Sequence, residues 1–288
     1  MTSPFTEEQQ RFLRLLELPV PGRPVAGVCA SPQAGLAKAA AAAQPPREDP
    51  APTAPPPTPR KPAIPAVLAS PAAPPTVPDA PLRDMAAQER RETVIAGLAW
   101  ADLAAMVSVC QDCPLGATRQ HAVFGAGNPQ GRWLFVGEAP GAEEDRRGEA
   151  FVGRAGQLLD AMLKAMGLER GRDVYIANVL KCRPPNNRDP LGPEVRECLP
   201  YLHRQIALVR PQIIVALGRF ATQGLLQVDT PLNKLRGTVQ HYGDIPVVIT
   251  YHPAYLLRNP IDKRRVWEDL KKARRVFQEA GGALPEAR

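Results

Sequence analysis

Four of the five cysteines are the residues of this chain best suited to holding a metal. Cys110 and Cys113 lie in "VCQDCPLG"; Cys182 and Cys198 end a loop rich in Pro, Asn and Arg, "KCRPPNNRDPLGPEVREC". A C-x2-C pair lets one turn aim two thiolates at one centre, and two distant cysteines can complete a four-thiolate shell. A four-cysteine zinc site and a [4Fe–4S] cluster both satisfy that count. Zinc ribbons usually bring a second C-x2-C close behind the first, whereas sixty-eight residues separate Cys113 from Cys182. Pro114, following the first pair, is also common beside iron–sulfur ligands, so the pattern favours iron–sulfur over zinc. The competing reading is four buried free thiols packing as small hydrophobes. Cys29 has no evident partner.

A second set of reactive residues follows short apolar runs. "VGEAPGAEED" carries Gly137, Glu138 and Glu144, Phe151 comes soon after, Asn178 ends "VYIAN", and His252 follows "PVVITY". The turn lacks the Gly-Lys-Ser/Thr ending of a P-loop and departs from G-x-G-x-x-G, and its carboxylates would repel phosphate. A carboxylate, an aromatic, an amide and an imidazole in one crevice suit a flat, neutral heterocycle. Phe151 can stack, Asn178 can donate and accept at once, and His252 can hydrogen-bond an oxygen. Singly they read as a core aromatic, a turn former, a solvated charge and a capped histidine. Their joint position at strand ends carries the functional reading.

That position depends on strands at 132–138, 174–180, 212–218 and 246–251, alternating with helical patterns at 154–166, 191–209, 219–226 and 261–279. Short apolar strands alternating with helices predict an α/β fold, with a parallel sheet covered on both faces. In such sheets ligands bind beyond the carboxyl ends of the strands.

Composition divides the chain. Residues 1–100 hold 20 of its 34 prolines. A stretch so poor in large apolar residues cannot offset the entropy of ordering its backbone. We expect a disordered Pro/Ala-rich tether over 19–87 and a folded domain over 88–288. Residues 1–18 read as a short amphipathic helix with a Thr6–Gln9 capping box. It is either a docking helix for a protein partner or a marginal isolated helix. Residues 101–288 carry 26 Lys/Arg against 20 Asp/Glu within a chain of net charge +7, a balance that favours a polyanionic partner, nucleic acid first. No apolar run approaches the ~20 residues of a membrane span. The acidic N-terminus does not resemble a signal peptide. The expectation is an intracellular, cytoplasmic monomer associated with the nucleoid, with no membrane partner.

Taken together, "GEAPGAEED", "FVGRAGQLL", "NVLKCRPPNNR", "KLRG" and "YHPAYLLRNP", preceded by "CQDCPLG", resemble the family 4 uracil-DNA glycosylases, the iron–sulfur-containing type. The resemblance spans about 106–275 and leaves out the Pro-rich third. It implies a three-layer α/β/α glycosylase fold and a [4Fe–4S] cluster on Cys110, Cys113, Cys182 and Cys198. The implied reaction is excision of uracil from single- or double-stranded DNA. By position Gly137 and Glu138 match the first motif, Phe151 the stacking aromatic, Asn178 the uracil-reading amide and His252 the second-motif histidine. Glu144 matches an acidic position that can crowd the thymine methyl.

For that reaction the target nucleotide must leave the stack. Leu256 and Leu257 are candidates for an apolar wedge, with ordinary helix packing as the alternative. Other glycosylases of this fold carry a water-orienting Asp where this chain has Ala139, leaving Glu138 the nearest carboxylate. No lysine is placed as a Schiff-base nucleophile, so a monofunctional enzyme is expected. Arg154, Lys181, Arg183, Arg188, Lys234, Arg236 and Arg258 are the expected phosphate contacts. One rival is a noncatalytic DNA-binding or replication-associated module on the same fold, for which the Glu138, Phe151, Asn178 and His252 set would be superfluous. Another is a glycosylase trapping DNA through a histidine-bearing loop; no histidine lies between 122 and 202.

Overall fold

The structure is a computed structural model and describes residues 85–283. The helix expected over 1–18 lies outside the described residues, as does the 19–87 tether apart from its last three residues, which open helix α1 (Met85–Gly97).

The four apolar runs form the central strands β2 (Trp133–Gly137), β3 (Val174–Asn178), β4 (Ile213–Leu217) and β6 (Ile245–Thr250). β2, β3 and β4 are buried along their whole length. Parallel strands covered on both faces need such continuous apolar sequence. With β1 (Ala126–Gly127) and β5 (Val239–Tyr242) they make a six-stranded sheet in the order β1-β3-β2-β4-β6-β5. The four inner strands are parallel and the two edge strands antiparallel. Neither edge strand was expected from sequence.

Alternate residues of each inner strand face opposite layers. Phe135, Ile176 and Val215 meet α5 (Arg154–Ala165) and α10 (Lys263–Glu279) through Leu159, Met162, Trp267, Leu270 and Phe277. Leu134, Tyr175 and Ile214 meet α6 (Gly192–Val209) and α7 (Arg219–Leu226) through Leu202, Ile206 and Leu225. The expected α/β/α sandwich is therefore observed. At about 1.5–3 kcal/mol for each fully buried large apolar side chain, these two cores are the chief stabilising term. A third core packs α1 and α2 (Trp100–Val109) around Leu180, Tyr201, Cys182 and Cys198.

Short helices sit at the functional end: α3 (Leu115–Thr118) after the C-x2-C pair, α4 (Ala142–Arg147) after β2, α8 (Leu232–Leu235) before β5 and α9 (Pro253–Arg258) after β6. Sheet register aligns Gly137 with Asn178 and Leu217 with Thr250. Glu138, Gly218 and His252 follow these aligned ends, so residues far apart in sequence reach one edge. No helix among the described residues is long and apolar enough to cross a membrane.

Candidate active site

Beyond the strand ends lies a cleft of about 620 Å³ whose lining includes Glu138, Phe151, Asn178, Arg219, His252 and Arg258. Two glycines let its walls close up. A Cβ at Gly137 would lie 2.6 Å from Phe151 Cζ and nearer still to Asn178 Oδ1, so a side chain there would push the ring and the amide out of place. Gly218 has φ +87°, a left-handed conformation that favours glycine, and a Cβ there would stand 3.0 Å from His252 Cβ.

Phe151 is itself left-handed at φ 55°, an uncommon and costly conformation for a bulky residue. Arg170 holds it there, donating to the carbonyls of Ala150 (2.9 Å) and Phe151 (2.7 Å) while pairing with Asp160 (2.8 Å). The Phe151 ring faces His252 with centroids 5.6 Å apart and planes tilted by 34°. Glu144 shapes the same wall from behind. Its Oε2 accepts from Gly141 N (3.1 Å), and its Oε1 accepts from Val152 N and Gly153 N (both 2.9 Å). Sequence placed Glu144 as a group pressing on the base. It does line the cleft, and both its oxygens are also engaged by backbone, so the carboxylate holds the fold of the loop that carries Phe151.

Asn178 is only 2% exposed, and its Oδ1 is buried without a hydrogen-bond partner. Unpaired buried acceptors are costly and rare, so this one awaits a donor. His252 caps α9, its Nδ1 accepting from Ala254 N at 3.1 Å. Burial, helped by nearby Arg258, pushes the imidazole down to about 4. It is therefore neutral at pH 7, and since Nδ1 accepts, Nε2 carries the proton. Glu138 is pushed up to about 7, first by burial and then by Asp189, against the pull of Arg219. Asp189 and Arg219 form an ion pair of 2.9 Å within the cleft lining. Neither was expected. Arg219 could have been found by the rule that found His252, because each lies two residues past the end of its strand; Asp189 lies within a loop and carries no such mark.

The expected DNA contacts divide. Arg154, Lys234 and Arg258 are exposed. Arg183 is half-buried and donates to Asn187 (2.8 Å). Arg188 lines the cleft and grips Glu194 through two bonds of 2.9 and 2.5 Å. Three residues need correcting. Lys181 is 1% exposed, with Nζ bonded to Asn178 O (2.7 Å) and Gln205 Oε1 (2.6 Å), so it cannot meet phosphate. Leu256 is 1% exposed and part of the core, so it is no wedge, whereas Leu257 beside it is 37% exposed. Arg236 is drawn inward onto Asp269 (2.6 Å) and the Tyr251 ring, with Arg265 O as a further acceptor. It braces the end of the sheet, while Lys234 in the same loop is exposed.

Cys110, Cys113, Cys182 and Cys198 line one small cavity together with Arg119, Lys181 and Tyr201. As bare thiols three of them would titrate high: burial raises Cys182 and pushes Cys113 up to about 11 and Cys198 up to about 12. Donors nevertheless point at the sulfurs. Arg119 Nη1 lies 3.0 Å from Cys182 Sγ, and Lys181 N lies 3.1 Å from Cys198 Sγ. A guanidinium aimed at sulfur suits a thiolate better than a thiol, and such outer contacts orient metal ligands. Among the described residues no three His, Cys, Asp or Glu side chains gather as a site for a metal ion. Four thiols lining one cavity, two of them facing N–H donors, are a donor set of the kind that four-thiolate centres use.

Residues 124–271 match the family model for the uracil DNA glycosylase superfamily. The chain is 45% identical over 179 residues to a type-4 uracil-DNA glycosylase of Archaeoglobus fulgidus, covering 59% of this chain and 89% of that protein. It is 44% identical over 179 residues to the type-4 enzyme of Thermotoga maritima, covering 61% and 93%. A type-5 uracil-DNA glycosylase of Pyrobaculum aerophilum is 34% identical over 146 residues, covering 45% and 64%.

Proposed function

The chain belongs to the uracil-DNA glycosylase superfamily and, within it, to the type-4 enzymes, and from that membership we propose that it excises uracil from DNA, the first step of base excision repair. Water hydrolyses the N-glycosidic bond, leaving free uracil and an abasic site. The observation that carries this reading to the level of atoms is the buried, partnerless Oδ1 of Asn178 in the strand-end cleft.

Uracil brings the complement to that amide. Its N3–H can donate to Asn178 Oδ1, and its O4 can accept from the amide nitrogen. Cytosine reverses both groups and would leave them unpaired in a closed site, a penalty that supports strong discrimination. Phe151 supplies a face for the flipped base. In this reading Glu144 acts on base choice through the loop it holds.

Bond breaking leaves an oxocarbenium-like sugar and a uracil anion. Neutral His252 donates from Nε2–H to the O2 on which charge develops, an oxyanion-type stabilisation that needs no proton transfer. Water then adds to C1′, and its proton leaves through Glu138, whose value near 7 suits a group that holds and orients water at neutral pH. Leu257 fills the space left by the flipped nucleotide. Arg154, Arg183, Arg188, Lys234 and Arg258 hold the phosphates, giving affinity that falls with salt.

Cys110, Cys113, Cys182 and Cys198 would hold a [4Fe–4S] cluster, which when bound supplies a cross-link between the start of the domain and both ends of the 182–198 loop. The test is incubation of anaerobically purified protein with uracil-containing oligonucleotide, followed by alkaline cleavage and detection of free uracil. Uracil release with alkali-labile sites is expected; intact strands on both single- and double-stranded substrates would overturn the proposal.

A further inference from the structure

Lys181 touches both halves of the molecule's chemistry and belongs to neither as so far described. Its main-chain N donates to Cys198 Sγ (3.1 Å), and its carbonyl accepts from Val123 N (2.7 Å). Its side chain turns the other way. Nζ, fully buried, donates to the main-chain O of Asn178 (2.7 Å) and to Gln205 Oε1 (2.6 Å). Gln205 is also fully buried and is anchored by donating to Phe124 O (2.8 Å) and Tyr175 Oη (3.2 Å).

Both Nζ acceptors are neutral, and burying an ammonium without an anion is expensive. Lys181 and all four cysteines line the same cavity; Asp112 and Glu197 line it too, but their carboxylates pair with Arg91, and the charges that act on the ammonium are the sulfurs of Cys198 and Cys182. Its main-chain bond to Cys198 Sγ and its place next to Cys182 tie Lys181 to that centre, while its side chain reaches the end of β3. Its hydrogen bond also fixes the carbonyl of the residue whose side chain faces the base.

We propose that Lys181 is a positioning residue through which the four-cysteine centre sets the placement of Asn178, so that the centre serves base recognition as well as loop anchoring. The inference rests on the proposed reading of Asn178 as the uracil-contacting amide. Loss of the Nζ bond frees the end of β3 by a few tenths of an ångström, enough to spoil a two-point contact while leaving phosphate contacts in place.

The test compares full-length wild type with Lys181→Met, Asn178→Ala and the double variant, all purified anaerobically. Iron content and absorbance near 400 nm are recorded first. Then come DNA affinity, single-turnover excision and binding of free uracil. With iron retained, Lys181→Met should excise about 30-fold more slowly, consistent with loss of a charge-assisted bond, and bind DNA almost unchanged. Binding of free uracil should weaken in parallel. The double variant should be no slower than Asn178→Ala alone, because the two residues act as one unit.

An iron-loaded Lys181→Met that excises at the wild-type rate, or losses that multiply in the double variant, would overturn the inference. If Lys181→Met fails to keep iron, Gln205→Leu removes the other Nζ acceptor from a position two turns beyond Cys198 on α6. A coupled loss of about 10-fold there supports the inference, and an unchanged rate overturns it. An inactive wild type would overturn the proposed function itself, a result distinct from any difference between variants.

Discussion

Ala254 N–H donates to His252 Nδ1 across 3.1 Å, and that bond sets which imidazole nitrogen can serve the base. Since burial holds this histidine down to about 4, the ring is neutral above that pH and presents Nε2–H. The expected outcome is a pH–rate profile with no histidine limb between pH 5 and 8. An NMR titration should show His252 gaining its proton only near pH 4. His252→Ala should slow excision about 10²–10³-fold, the range for loss of an oxyanion donor, with DNA affinity within a few-fold of wild type. Equal losses in rate and binding would count against the role.

Glu138 supplies the pH dependence instead. Its carboxyl is raised to about 7, so it is mostly protonated below that value and mostly ionised above it. If the carboxylate orients water, the rate should rise with pH through about 7 and then level off. Glu138→Gln should be slower and should lose that limb. Single-turnover rates from pH 5 to 9 for both proteins measure this.

Adjacent leucines on α9 should separate cleanly. Leu256 is core and Leu257 is exposed. Leu256→Ala should destabilise the domain by about 2–5 kcal/mol, read as a lower denaturant midpoint. Leu257→Ala should leave stability unchanged and slow excision from duplex DNA more than from single strands, because only the duplex must be unstacked.

Glu144 is predicted to matter through the fold of its loop. Gln at this position keeps the size but replaces one acceptor oxygen with a donor, leaving one or two of the three backbone N–H bonds unmade. A loss of about 1–3 kcal/mol is expected in chemical denaturation, together with slower excision, since Phe151 sits on the loop that Glu144 holds.

Much of this arrangement was legible from sequence for a physical reason. Parallel strands buried on both faces must be apolar throughout, so "WLFVG", "VYIAN" and "IIVAL" announce themselves, and the residues just after them mark the crevice. Edge strands β1 and β5 escaped because Ala126–Gly127 is too short to show a period and Val239–Tyr242 is half-exposed. Lys181 was misplaced because it reads as the first cation of a basic loop, with Arg183 and Arg188 after it, while its own side chain bonds the main-chain O of Asn178, which only the fold can show. Leu256 and Leu257 are alike in sequence and differ only in which side of a single helical turn they occupy. The Asp189–Arg219 pair joins residues thirty positions apart, beyond any local pattern.

The most direct measurement of the central claim, that Asn178 Oδ1 reads uracil N3–H, is single-turnover excision from matched oligonucleotides carrying uracil or N3-methyluracil. Methylation removes the donor that the buried oxygen lacks and leaves the glycosidic bond in place. The wild type should release uracil and act on the methylated base at least about 10²-fold more slowly, as expected where a buried acceptor is left unpaired. Release of N3-methyluracil at the rate of uracil would contradict the claim.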